Sequence, residues 1–229
     1  MFRPPAAATL ALSAACLLGL SGCGQAAVPA TTPAPVAASG TVTCAYAAAG
    51  QAAKAAKAPP TTGVPATGTV AYTLALTGGK VTITMDRAKA PCTVNSFASL
   101  ADQGYFNGTR CHRLVDSGIF VLQCGDPSGT GSGGPGYSFA NETTGKESYT
   151  SGVVAMANAG PDTNGSQFFL VWSDSTALDA TPSYTIFGHM DTASRDVVAQ
   201  LAGEGEDGSN GDGDGKPNNP SEISTVTKG

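Results

Sequence analysis

From residue 70 the chain alternates. Val70, Tyr72, Leu74 and Leu76 are apolar or aromatic, with Ala71, Thr73, Ala75 and Thr77 between them. A period of two predicts a half-buried strand. Gly78-Gly79 supplies a two-residue turn, and Val81, Ile83 and Met85 then alternate with Thr82 and Thr84 to complete a hairpin. The period changes next. Val94, Phe97, Ala98 and Ala101 recur at helical spacing, with Pro91 at a suitable first position and Gly104 able to end the helix. Strands are expected near residues 111–115, 120–124, 153–157, 167–172 and 185–190. A glycine-rich loop covers 125–138, a second helix 191–201, and Ile223, Thr225 and Thr227 mark a closing strand. Many short strands with two helices predict a mainly β chain, closed into an antiparallel barrel.

Before residue 69 the pattern is different. Arg3 precedes an apolar run over residues 6–20, too short to span a bilayer comfortably. The run ends in Leu20-Ser21-Gly22-Cys23, which resembles a bacterial lipobox. That resemblance implies a lipoprotein signal peptide over residues 1–22, cleavage before Cys23 and a diacylglycerol on its thiol. The expected location is outside the cytoplasmic membrane of a bacterium, anchored by lipid. Residues 23–68 are rich in Ala, Pro and Thr and nearly free of large apolar side chains. Such a stretch buries too little surface to offset its ordering entropy, and an extended tether is expected.

The net charge is −5 with no basic run, so nothing electrostatic points to nucleic acid. Besides Cys16 in the signal and Cys23, four cysteines remain: Cys44, Cys92, Cys111 and Cys124. An exported chain meets oxidising conditions, so two disulfides are expected, with the pairing open. Cys111 with Cys124 is an attractive pair, yet strand alternation would set them on opposite faces. No C-x-x-C occurs and there are only two histidines, so no metal site is expected. Residues 129–134 match G-x-G-x-x-G, but Pro135-Gly136 follows where a dinucleotide site needs a helix. Asn210, Asp212, Asp214 and Gly215 mimic the start of a calcium loop, but Ser221 stands at its twelfth position, and a solvated loop is expected. No G-x-S-x-G occurs either, and no cofactor is expected.

Two stretches carry the chemistry. Residues 156–169 read M-A-N-A-G-P-D-T-N-G-S-Q-F-F, a polar turn-rich loop running into an apolar strand. Residues 112–126 read H-R-L-V-D-S-G-I-F-V-L-Q-C-G-D and set Arg113 among apolar neighbours. Alternation puts His112 and Arg113 on opposite faces. Together these stretches resemble the cyclophilins, a family of peptidyl-prolyl cis/trans isomerases, over about residue 69 to the C-terminus. The resemblance implies an eight-stranded closed barrel with a helix over each end, and a domain over 69–229. It implies catalysis by Arg113, a proline pocket of Phe120, Val121, Phe169 and Leu178, and peptide contacts from Gln123, Ala157, Asn158, Ala159 and Gln167. Two positions depart from the family. Its pocket tryptophan corresponds to Ala177, and its pocket histidine corresponds to Tyr184, which is retained as a substrate-binding candidate. The expected partners are proline-containing polypeptides and the membrane, with the chain a monomer. A proline-binding module without turnover is the alternative.

Overall fold

The computed structural model describes residues 40–229. The expected signal peptide, Cys23 and the first part of the expected tether lie outside the described residues. In chain order the elements are β1 (Thr41–Val42), β2 (Ala47–Ala48), β3 (Val64–Pro65), β4 (Thr69–Leu76), β5 (Gly79–Asp86), helix α1 (Pro91–Asp102), β6 (Thr109–Arg110), β7 (Arg113–Val115) and β8 (Val121–Cys124). They continue with β9 (Tyr137–Ser138), β10 (Val153–Met156), β11 (Phe168–Val171), β12 (Ile186–Met190), helix α2 (Thr192–Gly203), β13 (Asp214–Gly215) and β14 (Glu222–Lys228). Among the described residues no helix is long and apolar enough to cross a membrane.

The expected hairpin forms, with β4 and β5 paired along their full length. Its loop is Thr77-Gly78, one residue earlier than expected, because Leu76 pairs with Gly79. Packing explains the glycines. A Cβ on Gly78 would lie 2.5 Å from Leu201 Cδ2, and one on Gly79 would lie 2.9 Å from Val197 Cγ2. Helix α2 therefore seats directly on the turn.

Helix α1 has Pro91 in its first turn and ends as the sequence predicts. Gly104 takes φ 66°, its N–H donates to Ala101 O, and Tyr105 N–H donates to Leu100 O. This pair of bonds closes the helix with a left-handed residue. No side chain of α1 caps its start. Glu142 does so from a distant loop, accepting from Cys92 N (2.9 Å) and Thr93 N (2.8 Å).

The main sheet corrects the expected barrel. Ten strands run in the order β13-β7-β8-β11-β10-β12-β5-β4-β14-β6, curled into a half-barrel rather than closed as eight. The end strands β6 and β13 do not pair. Only two residues, Cys111 and His112, join β6 to β7. Their N–H groups go to Ser221 O and Gln123 O, so the rims are linked by chain rather than by a ladder.

A large core fills the curl. It takes Tyr72 and Leu74 from β4, Ile83 from β5, Phe97 and Leu100 from α1, Leu122 from β8 and Phe168 from β11. Strands β10 and β11 are buried along their whole length, on both faces. Residues Val154, Met156, Phe168 and Leu170 face the main core, while Val153, Ala155, Phe169 and Val171 join a second, smaller cluster. A strand covered on both faces reads as a continuous apolar run, which is how these two appear in the sequence.

Residues 40–68 are not an extended tether in this structure. They belong to the same compact unit as the rest of the described chain. A disulfide joins Cys44 to Cys92 at the start of α1. Strand β1 pairs with β3, and β2 pairs with β9. The ring of Tyr46 stands edge-on to Tyr137 and Phe139, and burial pushes its hydroxyl up to about 12. Lys54 Nζ donates to Gly104 O and Asn107 O, both at 2.9 Å. A covalent link and backbone bonding thus replace the apolar surface that the composition lacks.

The second disulfide is Cys111–Cys124. The alternation that weighed against it assumed a strand from residue 111. Strand β7 begins only at Arg113, so Cys111 is free of the pleat.

Candidate active site

The second apolar cluster lies under a small cavity of about 120 Å³. Its walls are Arg113, Ile119, Val121, Gln123, Ala157, Asn158, Phe169, Leu178 and Tyr184. Pairing brings most of these together. Arg113 lies opposite Gln123 across β7 and β8, and Gln123 lies opposite Phe169 across β8 and β11. Directly opposed residues share a face of the sheet. The register therefore builds a row of Arg113, Gln123 and Phe169 on the outer face.

Phe169 is the floor, only 4% exposed. Tyr184 meets it edge-on at 5.4 Å, and Tyr149 lies at 6.3 Å. Tyr149 also pins Tyr184 by backbone contacts: its hydroxyl donates to Tyr184 O (2.8 Å) and accepts from Tyr184 N (3.0 Å). Burial pushes the Tyr149 hydroxyl up to about 12, so it stays neutral in these bonds. The short 3₁₀ turn Thr176–Ala180 brings Leu178 over the pocket. Asp179 ties this turn to Tyr149 N (2.9 Å) and Ser148 Oγ (2.8 Å).

Eight of the sequence-predicted residues thus meet at one cavity: Arg113, Val121, Gln123, Ala157, Asn158, Phe169, Leu178 and Tyr184. Ala159 and Gln167 line an adjoining groove that shares Gln123, Ala157 and Asn158 with it. Phe120 is the exception. Ile119 takes the pocket wall instead, from the bend over residues 117–119 that precedes β8. Phe120 turns the other way and meets Trp172 edge-on at 5.1 Å. Trp172 in turn donates from Nε1 to Val115 O, away from the cavity lining. The resemblance names Phe120 and not Ile119, and strand alternation gives no signal for a residue in the bend before β8. Ala177 is exposed and does not line the cavity.

Polar groups at the mouth are fixed by a hydrogen-bonded chain. Gln123 Nε2 donates to Gln167 Oε1 at 2.8 Å, and Gln167 Nε2 donates to Gly131 O and Gly133 O. The glycine-rich loop that offers those carbonyls is wrapped around Asp126. The Asp126 carboxylate accepts from Ser128 N, Gly131 N and Gly133 N at 2.7 to 3.0 Å. Burial alone would push Asp126 up, but bonds from Ser128, Gly133 and Gly131 outweigh it and hold it below the usual carboxylate range. A Cβ on Gly133 would lie 2.0 Å from Asp126 Oδ1, which explains the glycine there. The loop is an acid-centred turn, with no helix to form a dinucleotide site.

Asn158 shows which of its groups are available. Its side chain is engaged, donating to Ser183 O (3.0 Å) and accepting from Gly160 N (3.3 Å). Its backbone N–H and C=O make no hydrogen bond among the described residues. An open backbone at the cavity mouth can pair with an extended peptide.

Arg113 is half-buried, and its guanidinium is held by Asp214. Arg113 Nε donates to Asp214 Oδ1 at 2.8 Å, and Nη2 donates to Oδ2. The pair raises Arg113 further above its ordinary value and holds Asp214 below the usual carboxylate range. Arg113 therefore carries its charge at any working pH. Among the described residues no group of His, Cys, Asp and Glu could hold a metal ion.

The sequence profile of the cyclophilin type peptidyl-prolyl cis-trans isomerase family matches residues 71–228. The chain belongs to the cyclophilins. Among curated cyclophilin relatives, a probable peptidyl-prolyl cis-trans isomerase B from Mycobacterium leprae is 46% identical over 153 residues, covering 59% of this chain and 51% of that protein. The Mycobacterium tuberculosis protein of the same description is 49% identical over 148 residues, covering 57% of this chain and 47% of the relative. The chain thus spans about half the length of these relatives. Among solved structures, a cyclophilin type isomerase from Cryptosporidium parvum superposes with a TM-score of 0.62 at 28% identity, covering 71% of this chain and 98% of that one. The same protein crystallised in the presence of the dipeptide Ala-Pro gives a TM-score of 0.60 at 28% identity, covering 69% and 97%.

Proposed function

We propose that this cyclophilin is an active peptidyl-prolyl cis-trans isomerase, with Arg113 as its catalytic residue and Phe169 as the floor of the proline pocket. One observation carries the proposal. A charged guanidinium stands at the rim of an aromatic cavity too small for a drug-sized ligand, whose pockets run to roughly 300–1,000 Å³.

The chemistry follows from the amide bond. An X–Pro bond resists rotation because the nitrogen lone pair is conjugated with the carbonyl, with a barrier of about 18–20 kcal/mol. Halfway through the rotation the conjugation is lost and the lone pair is localised on nitrogen. It can then accept a hydrogen bond that the planar ground state cannot. An Arg113 N–H directed at that nitrogen binds the twisted state selectively, which lowers the barrier. The ring rests on Phe169 between Val121, Ile119 and Leu178, while the open backbone of Asn158 and the amides of Gln123 and Gln167 hold the flanking chain. Each factor of ten needs about 1.4 kcal/mol, so a charge-assisted bond plus positioning suffices for a gain of about a thousandfold.

The clients are X–Pro bonds in exported proteins, whose folding the enzyme assists. The lipobox at Leu20-Ser21-Gly22-Cys23 supports a lipid anchor on Cys23 and a place outside the cytoplasmic membrane, from which the enzyme works. The decisive assay is protease-coupled isomerisation of a proline peptide. Arg113→Ala should lower kcat about a hundredfold or more while peptide affinity changes little. Peptide binding with no turnover in the unaltered protein would leave a binding module. The anchor has its own check. Mass spectrometry of the mature protein should find Cys23 diacylated, and an unmodified Cys23 would remove the membrane from the proposal.

A further inference from the structure

The ion pair at Arg113 has a source that the family motifs do not include. Asp214 comes from the acidic loop between α2 and β14, which the sequence marks only as solvated. Three features bring it to the site. Strand β13 pairs with β7, setting Asp214 opposite Val115 and Gly215 opposite Leu114. Gly213 takes φ 73° and lies so close that a Cβ there would be 2.4 Å from Ser117 Cβ, while its carbonyl accepts from Asp116 N at 3.0 Å. Asn210 clamps the aspartate, donating from its backbone N–H to Asp214 O and from Nδ2 to Asp214 Oδ1, both at 3.0 Å.

We propose that Asp214 is a positioning residue for Arg113, holding the guanidinium so that its unspent N–H groups serve the cavity. The carboxylate takes one edge of the fork, the Nε–H and one Nη2–H. The Nη1 end is left for the pocket that Arg113 lines. An arginine side chain otherwise has many rotamers to lose. Bidentate pairing with a carboxylate fixes both its direction and its plane. The pair is also well sheltered for a surface element, with side-chain exposures of 38% for Arg113 and 22% for Asp214, so water competes less than at an open salt bridge.

The carboxylate also cancels much of the guanidinium charge, which would be a cost if the site stabilised an anion. The twisted prolyl nitrogen is neutral, however. A directed donor matters more there than net charge, so orientation outweighs the cancelled field.

The inference rests on the catalytic role proposed for Arg113, and the test separates the two. Values of kcat and KM are measured in the isomerisation assay for the unaltered protein, Asp214→Ala, Asp214→Glu, Arg113→Ala and the double variant, with a thermal melt for each. Asp214→Ala should lower kcat about tenfold with KM changed less than about twofold. Asp214→Glu should restore part of the loss. In the Arg113→Ala background, Asp214→Ala should do nothing further, because the two act as one unit. If Asp214→Ala melts early, Asp214→Asn fills the same space and should still show a reduced kcat. An unchanged or raised kcat in Asp214→Ala overturns the positioning role, as does an equal loss with and without Arg113. A fully active Arg113→Ala overturns the catalytic role itself.

Discussion

Phe168 and Phe169 are consecutive on one strand and equally hidden from water, at 0% and 4% exposure. They serve different regions. Phe168 points into the curl of the sheet, where Phe97 and Phe106 meet it at 5.4 Å and 5.7 Å. Phe169 points outward and becomes the floor of the cavity under Tyr149 and Tyr184. Burial cannot tell a core residue from a site residue here. The face of the strand does. The sheet serves twice, as the wall of a large core and as the bed of a small aromatic cluster that the segments flanking β10 and β11 complete.

The comparison can be broken most severely from the inside. Phe168→Ala should destabilise the protein by about 3–5 kcal/mol, the usual cost of deleting a buried aromatic. At roughly 2–4 °C per kcal/mol for a chain of this size, the melting temperature should fall by about 6–20 °C. The protein that remains folded should keep its kcat, because the cavity does not contain Phe168. A fall in kcat without a fall in melting temperature would erase the distinction between the two faces.

A middle-sized effect is expected at the Cys44–Cys92 link, which belongs to the inner region. Replacing both cysteines by serine should cost about 2–4 kcal/mol. The proline cavity should keep its activity toward short peptides, since none of its walls comes from residues 40–68. Thermal melts and the same kinetic assay check both halves. Phe169→Leu sharpens the outer side. A hydrophobic swap of this kind should cost less than about 1.5 kcal/mol in stability. It should nevertheless lower kcat/KM about tenfold, or 1.4 kcal/mol, through loss of the flat ring beneath proline. Phe168→Leu should show a comparable stability change with no kinetic one.

Much of this was legible from periodicity. The period of two marked β4 and β5, the helical spacing marked α1, and Gly104 closed it. The stretches over 112–126 and 156–169 lead to the correct family, and the resemblance names eight of the cavity residues. What escaped depends on contacts distant in sequence. Asp214 reaches Arg113 across 101 positions, from a loop whose composition resembles any solvated acidic stretch. The segment over 40–68 has no hydrophobic pattern because a disulfide, short ladders and Lys54 hold it. A domain drawn from residue 69 would therefore strip Cys92 of its partner and Tyr137 of Tyr46. Phe120 is placed in the pocket by the family resemblance, whereas the bend before β8 leaves it against Trp172. The Cys111–Cys124 bond was doubted because strand alternation was carried two residues past the strand's true start.

The open sheet has a consequence for self-association. A closed barrel has no edge, whereas a curled sheet of ten strands has two, and an unpaired edge invites another chain to add a strand. Both edges here are strands of only two residues, β6 and β13, each carrying a charge, Arg110 on one and Asp214 on the other. They offer too short a ladder for another chain to extend. Strand β13 therefore guards against edge-to-edge aggregation as well as supplying Asp214. Removing residues 206–217 would expose the Arg113–Val115 strand as a free, largely apolar edge, and self-association should rise in the same variant that loses its hold on the guanidinium.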